Sequence, residues 1–182
     1  MSTTKINTSD NEGFKSRFVG LLLTFNIKAR ILLVRAYLFG GYMENLPRGI
    51  RNNNPGNIRW GSNWTGLDSK GKKKDNSFCV FVAPEWGIRA LTKLILNYNR
   101  IYDINTVEGI IKRYAPSNEN DTESYIAHVC KVGGFEKDEE LNLTDKDVMI
   151  SLLKGIILHE NGVQPYSDEL LEQGMSYAGI IV

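Results

Sequence analysis

The chain has 182 residues, 42% of them hydrophobic and 24% charged, with a formal net charge of +1. That length suffices for one domain with a real core. The near-zero charge excludes a protein-wide pull toward nucleic acid or an anionic membrane. Two cysteines exclude a disulfide framework, and their separation fits neither a zinc pattern nor a redox pair; both read as buried thiols.

Residues 1–13 are polar and read as disordered. Residues 14–42 carry apolar runs interrupted by Lys28, Arg30 and Arg35. No uncharged stretch is long enough to span a bilayer, and no small-residue cleavage site marks a signal peptide. A basic amphipathic helix is the expectation, packing on the domain, on a partner or on a membrane surface. A second Met at position 43 opens the part that reads as a compact domain. The expected organisation is therefore an N-terminal extension over 1–42 and a catalytic domain over 43–182.

Residues 47–66 are dense in Asn, Gly and Pro, which specify turns and not a helix. They also hold Ile50, Ile58, Trp60 and Trp64. Two readings stand level. One is a sugar-binding wall, in which amides bond hydroxyls and indoles offer flat faces. The other is a structural loop whose Asn side chains cap its own backbone. The basic run from Lys70 to Lys74 reads as a solvated loop, since it lacks interleaved aromatics. Residues 78–82 are a strand candidate that would pair with 58–60 as a small β-hairpin.

Helical spacing then dominates. Pro84 opens a helix to about Tyr98 with Ile88, Leu91, Leu94, Ile95 and Tyr98 on its inner face. A shorter helix spans 106–113, with Val107, Ile110 and Ile111 inward. Pro116 follows, and Asp121 or Thr122 caps a helix that carries Tyr125, Ile126 and Val129 and breaks at Gly133-Gly134. Glu119 stands before that helix start, where the dipole favours an ionised carboxylate. Ser167 caps a last helix over 168–179.

The helix before it is the centre of the functional reading. Val148, Met149, Leu152, Leu153, Ile156 and Ile157 form one stripe, Thr144 is the expected N-cap, and Asn161-Gly162 is the stop. Glu160 continues that apolar stripe at the negative end of the helix dipole. Both surroundings raise a carboxyl's pKa and suit a general acid; a Glu fraying into solvent is the bland alternative. The neighbouring His159 serves either beside Glu160 or simply against the helix dipole, and two histidines alone cannot hold a metal.

Four blocks occur together and in order: Arg48-Gly-Ile-Arg-Asn-Asn-Asn-Pro-Gly-Asn-Ile-Arg59, Gly87-Ile-Arg-Ala90, Tyr114-Ala-Pro with Glu119-Asn-Asp-Thr122 and Tyr125, and His159-Glu-Asn-Gly162 with Pro165-Tyr166. This arrangement resembles a family of phage virion-associated and prophage lysozyme-like proteins over residues 47–177. The resemblance implies a mainly α (α+β) fold, a lysozyme-like helical domain with a small hairpin. It implies peptidoglycan glycan strands as substrate, no metal or organic cofactor, and a place in a phage virion or the host cell envelope. Other virion proteins or a membrane surface would be partners through residues 14–42; nucleic acid would not.

A looser similarity links the chain to bacterial glucosaminidases and lytic transglycosylases. In those, a helix ending in the catalytic Glu precedes a segment like Asn57-Ile-Arg59, a helix and a Tyr-Ala loop. Here the helix with that ending comes last, so the order reads as a circular permutation. On this basis Glu160 is the expected acid, and Glu119, Asp121 or a group of the substrate itself would stabilise the oxocarbenium-like transition state or position water. Asn53, Asn54, Asn57, Trp64, Tyr114, Asn120, Asp121 and Tyr125 are the expected substrate-binding residues. One raised-pKa carboxyl favours a lytic transglycosylase over a muramidase or glucosaminidase. The competing class is a non-catalytic phage structural or peptidoglycan-binding protein that keeps the fold.

Overall fold

The computed structural model describes residues 46–117 and 121–181. The expected amphipathic helix within 14–42, and the site candidates Glu119 and Asn120, lie outside the described residues. Backbone contacts group the chain into Met1–Leu46 and Pro47–Val182, and the second unit carries all the described helices.

Seven helices form its described part: α1 (Arg48–Arg51), α2 (Gly71–Lys74), α3 (Pro84–Tyr102), α4 (Val107–Tyr114), α5 (Thr122–Gly133), α6 (Lys146–Asn161) and α7 (Asp168–Ala178). The main packing pairs are α3 with α7 and α5 with α6, with α4 on α5. The inward stripes meet as expected. Ile88, Leu91, Ile95, Ile110, Ile111, Met149, Leu152, Leu153, Ile156 and Ile157 are fully buried, and Val148 is half-buried at the edge. Each such side chain withdrawn from water stabilises the fold by roughly 1.5–3 kcal/mol before conformational entropy is counted.

Helix ends follow local chemistry. Thr106 accepts from Gly109 N at 3.1 Å, Asp121 accepts from Ser124 N at 3.1 Å, and Ser167 accepts from Leu170 N at 3.4 Å. The cap of α6 is Asp145, not the expected Thr144. Asp145 accepts from Asp147 N at 2.9 Å and Val148 N at 3.1 Å, whereas the Thr144 hydroxyl turns to Asn142 at 2.7 Å. Helix α3 runs one turn beyond Tyr98 because nothing breaks it until Asp103, which takes the left-handed conformation at φ 56°. Gly162, at φ 69°, ends α6 as expected.

The turn-rich region differs from expectation in two ways. The stretches read as turn and loop each wind one helical turn, α1 and α2. The expected β-hairpin is replaced by two isolated antiparallel bridges, Arg59 with Phe78 and Leu67 with Phe81; no strand occurs among the described residues. Residues 78–82 are extended but share their hydrogen bonds among partners spread over residues 52–68, Asp68 N donating to Val80 O at 2.8 Å. Cys79 N donates to Ile58 O at 2.8 Å, Phe81 N to Asn52 O at 3.0 Å, and Val82 N to Gly66 O at 2.9 Å. Each partner is a turn offering one or two groups, so no ladder grows. Cys79 is buried, and burial pushes its thiol up to about 11; Cys130 is half-buried, and both are free.

Candidate active site

The Asn-rich turns divide their labour. Asn54 is completely buried. Its amide donates to Ile58 O and Cys79 O at 2.9 Å each, and its oxygen accepts from Ile58 N at 3.0 Å. Asn53 donates to Phe81 O at 3.1 Å, and Asn52 donates to Asp75 at 2.7 Å. Asn54 braces the loop's own backbone at Ile58, and all three side chains tie the loop to residues 75–81, a structural role for this block. Asn57 does something else: its Nδ2 donates to Glu160 Oε2 at 2.9 Å and approaches the Glu160 carbonyl at 3.3 Å.

The loop itself is anchored by a carboxylate hub. Asp75, 8% exposed, receives Arg48 in a two-pronged pair at 2.6 and 2.7 Å, Asn52 at 2.7 Å, and Ser77 N and Phe78 N at 3.0 Å each. The Arg48 guanidinium holds this carboxyl well below the usual carboxylate range against the opposing effect of burial, with help from the other donors.

Glu160 sits in the last turn of α6, half-buried, facing a cleft of about 360 Å³. Burial raises its pKa; donation from Asn57 and from Tyr125, whose hydroxyl reaches Oε1 at 2.9 Å, opposes that rise without cancelling it. Each carboxyl oxygen thus has one fixed donor. Asn161 ties the helix end to the loop, with Nδ2 donating to Pro55 O at 2.8 Å and Ile157 O at 2.9 Å. The amide oxygens of Asn57 and Asn161 are buried without a hydrogen-bond partner among the described residues, and both stand where a Cβ on Gly49 would project. A Cβ on Gly49 would lie 2.7 Å from Asn57 Oδ1 and 2.8 Å from the Asn54 carbonyl, so only glycine lets α1 close against these amides.

Tyr114 closes one wall, its hydroxyl donating to the Gly56 carbonyl. Burial, then the Glu160 charge, push its phenol well up; burial does the same for Tyr125. Both stay protonated donors. Tyr125 also stacks on His159, ring centroids 3.6 Å apart and planes 11° from parallel. His159 Nδ1 meets His128 Nδ1 at 3.0 Å. One ring must donate and the other accept, so the two cannot both carry a proton on these nitrogens. Burial, then His128, lower the His159 pKa accordingly.

The structure therefore brings Asn57, Tyr114, Tyr125 and Glu160 to one place. Asn53 and Asn54 lie behind the wall. Trp64 is half-buried against the core, its indole N–H without an acceptor among the described residues. Asp121 is exposed, caps α5, and borders a separate depression with Lys112, Ser117 and Glu123. The cleft adds residues that the sequence did not single out for the site. Arg59, Phe78, Leu94, Tyr98 and Pro116 line it too. Leu94 and Tyr98, core residues by their spacing, sit half-buried at the edge of the α3 stripe, one turn apart. Arg59 lies inside the Asn-Ile-Arg segment that carried the family resemblance, which was its available signal. Among the described residues no cluster of three or more His, Cys, Asp or Glu could hold a metal ion, and no helix is long and apolar enough to cross a membrane.

No family model matches the chain. Protein P5 of Pseudoalteromonas phage PM2 is 34% identical over 158 residues, which covers 82% of this chain and 96% of that protein. This shared length exceeds the unit Pro47–Val182, so the likeness runs into the residues before Pro47. With that identity sustained across most of this chain and nearly all of the relative, the protein belongs to the family of the phage PM2 protein P5.

Proposed function

We propose that this protein is a lytic enzyme of phage origin that cleaves the glycan strand of bacterial peptidoglycan, with Glu160 as its acid. The observation that carries the reading is the state of the Glu160 carboxyl. It is half-buried at a helix C-terminus, its pKa is raised by burial, and it is fixed by Asn57 and Tyr125 at the wall of a sugar-sized cleft. A protonated carboxyl there can give its proton to the glycosidic oxygen as the C–O bond breaks. The resulting carboxylate can then take a proton from the nucleophile that attacks the oxocarbenium-like centre. That nucleophile is the C6 hydroxyl of the same sugar in a transglycosylase, or water in a hydrolase. Glu160 lines the cleft, and one such carboxyl, acting first as acid and then as base, suffices for the transglycosylase course. The lysozyme-like, permuted arrangement draws support from the same contacts. The helix that supplies the acid comes late in the chain, yet Asn161 and Glu160 bond back to Pro55 and Asn57.

The test is clearing of a cell-wall suspension by the pure protein, with mass spectrometry of the released sugars. Anhydro-sugar ends are expected; reducing ends would change the enzyme class to a hydrolase. If the walls stay turbid while the protein still binds them, the protein is a binding or structural member that has kept the fold. Glu119→Gln is the companion variant. A smaller loss there than in Glu160→Gln is expected, and the reverse order would move the acid to the loop after Tyr114.

A further inference from the structure

A line of side-chain contacts runs from α5 to the carboxyl of Glu160. Tyr125 and His128 stand three residues apart on α5, so they share a face of that helix. His159 and Glu160 meet that face from the last turn of α6. The His159 ring lies flat on the Tyr125 ring, with centroids 3.6 Å apart and planes 11° from parallel. Its Nδ1 stands 3.0 Å from His128 Nδ1. His159 is thus held on one face by an aromatic ring and at one edge by a hydrogen bond, and it is half-buried between them. Tyr125 is 2% exposed, and its hydroxyl donates to Glu160 Oε1 at 2.9 Å.

Among the described residues His159 makes no hydrogen bond to the Glu160 carboxyl; Asn57 and Tyr125 make those. What His159 touches is the phenol that does. A tyrosine hydroxyl lies at the end of a ring that turns about the side-chain torsions, so its aim is set by what packs on that ring. The His159 face restricts this turning, and the bond to His128 keeps the His159 ring from swinging away.

We infer that His159 is a positioning residue: braced by His128, it stacks on Tyr125 and keeps that hydroxyl aimed at Glu160. Its value to catalysis rests on the function proposed above, in which Glu160 is the acid; the aim of the hydroxyl does not.

The test reads the Glu160 carboxyl directly, by carbon NMR titration of the full chain with isotope-labelled glutamate, the Glu160 resonance being assigned from Glu160→Gln. Donation from Tyr125 favours the ionised carboxyl, so a hydroxyl that wanders raises the titration midpoint. His159→Leu and His159→Gln fill much of the imidazole's space without an aromatic face, and each should raise the midpoint by about half a pH unit. His159→Phe restores the face and should hold the midpoint near the wild-type value. In a Tyr125→Phe background, where no hydroxyl is left to aim, His159→Leu should cause no further rise. In wall clearing, the alkaline limb of kcat/KM should follow the same order. A histidine that only stabilises the fold would leave the midpoint in place, so an unmoved midpoint in both His159→Leu and His159→Gln overturns the inference. An equal rise with and without the Tyr125 hydroxyl also overturns it, because His159 would then act on Glu160 directly. A wild type that leaves walls intact removes the lytic reading and the part of His159 in catalysis with it; the NMR titration still decides whether His159 aims the hydroxyl.

Discussion

Asp75 and Glu160 are both shielded carboxyls that receive hydrogen bonds from asparagine amides, yet they are held in opposite states. Asp75 faces a guanidinium and two backbone N–H groups, and its pKa falls; Glu160 faces a phenol, an amide and a cleft wall, and its pKa rises. Burial acts on both in the same direction, toward the neutral acid. The outcome turns on whether a full positive charge stands beside the carboxyl. The region around Asp75 is a clamp that holds the loop; the region around Glu160 favours the protonated carboxyl, as the proposed acid role requires.

Removing the acid should produce the largest effect. Glu160→Gln keeps the side chain's shape and can still bond Asn57 and Tyr125, but it cannot protonate a leaving oxygen. Wall-clearing activity should fall by about 10²–10⁴-fold, with an unchanged circular dichroism spectrum. A variant that still clears walls would remove Glu160 from the chemistry.

Breaking the clamp comes next. Asp75→Ala strands the Asn52 amide and two backbone donors, and should cost about 3 kcal/mol in urea unfolding. The two carboxyls should also imprint opposite pH signatures. Asp75 has its pKa lowered on folding, so its contribution is present above the unfolded value of about 4 and lost as pH falls below it. Glu160 has its pKa raised, so its contribution is present below its unfolded value and lost as pH rises through the folded one. Relative to wild type, Glu160→Gln should therefore gain stability as pH increases, and Asp75→Ala should narrow its deficit as pH drops. Thermal unfolding of all three proteins across pH reads both trends; parallel curves would contradict the comparison.

Gly49 joins the two regions, since α1 carries both the arginine of the clamp and the glycine under the site's amides. Gly49→Ala should cost roughly 1–3 kcal/mol through steric crowding and should lower activity by displacing Asn57 from Glu160. Full activity with unchanged stability would show that the amides can yield at no cost. The smallest effect is expected for Tyr125→Phe, about 1 kcal/mol in stability. Its informative readout is the pH profile of kcat/KM. Tyr125 donates to the ionised carboxyl and so lowers the Glu160 pKa. Without that donor the alkaline limb, which follows loss of the acid's proton, should move to higher pH. A limb that stays in place would mean that Tyr125 does not set the acid's pKa.

Local patterning was enough to read the helical body. The stripes on α3 to α7 recur at helical spacing, Pro84 opens α3, and short polar side chains cap α4 to α7, so nearest-neighbour chemistry determines them. The one displaced cap, Asp145 in place of Thr144, shows the limit, because Asn142 competes for the threonine hydroxyl. Glu160 was also legible as the polar residue that ends an apolar stripe. The loop was not. Whether an asparagine braces the backbone or faces the cleft depends on partners far away in sequence. Asn54 bonds to Cys79 and Asn57 to Glu160, and the composition of residues 47–66 is the same either way. The hairpin failed for a related reason: residues 78–82 have strand chemistry, but their partners are turn residues scattered over 52–68. The sequence by itself determined the five longer helices, α3 to α7, and which carboxyl would end in an apolar setting. Only the tertiary structure decided that Asn57 and Arg59 share a cleft with that carboxyl and that Tyr125 bonds it, because such contacts are short-ranged in space and indifferent to distance along the chain.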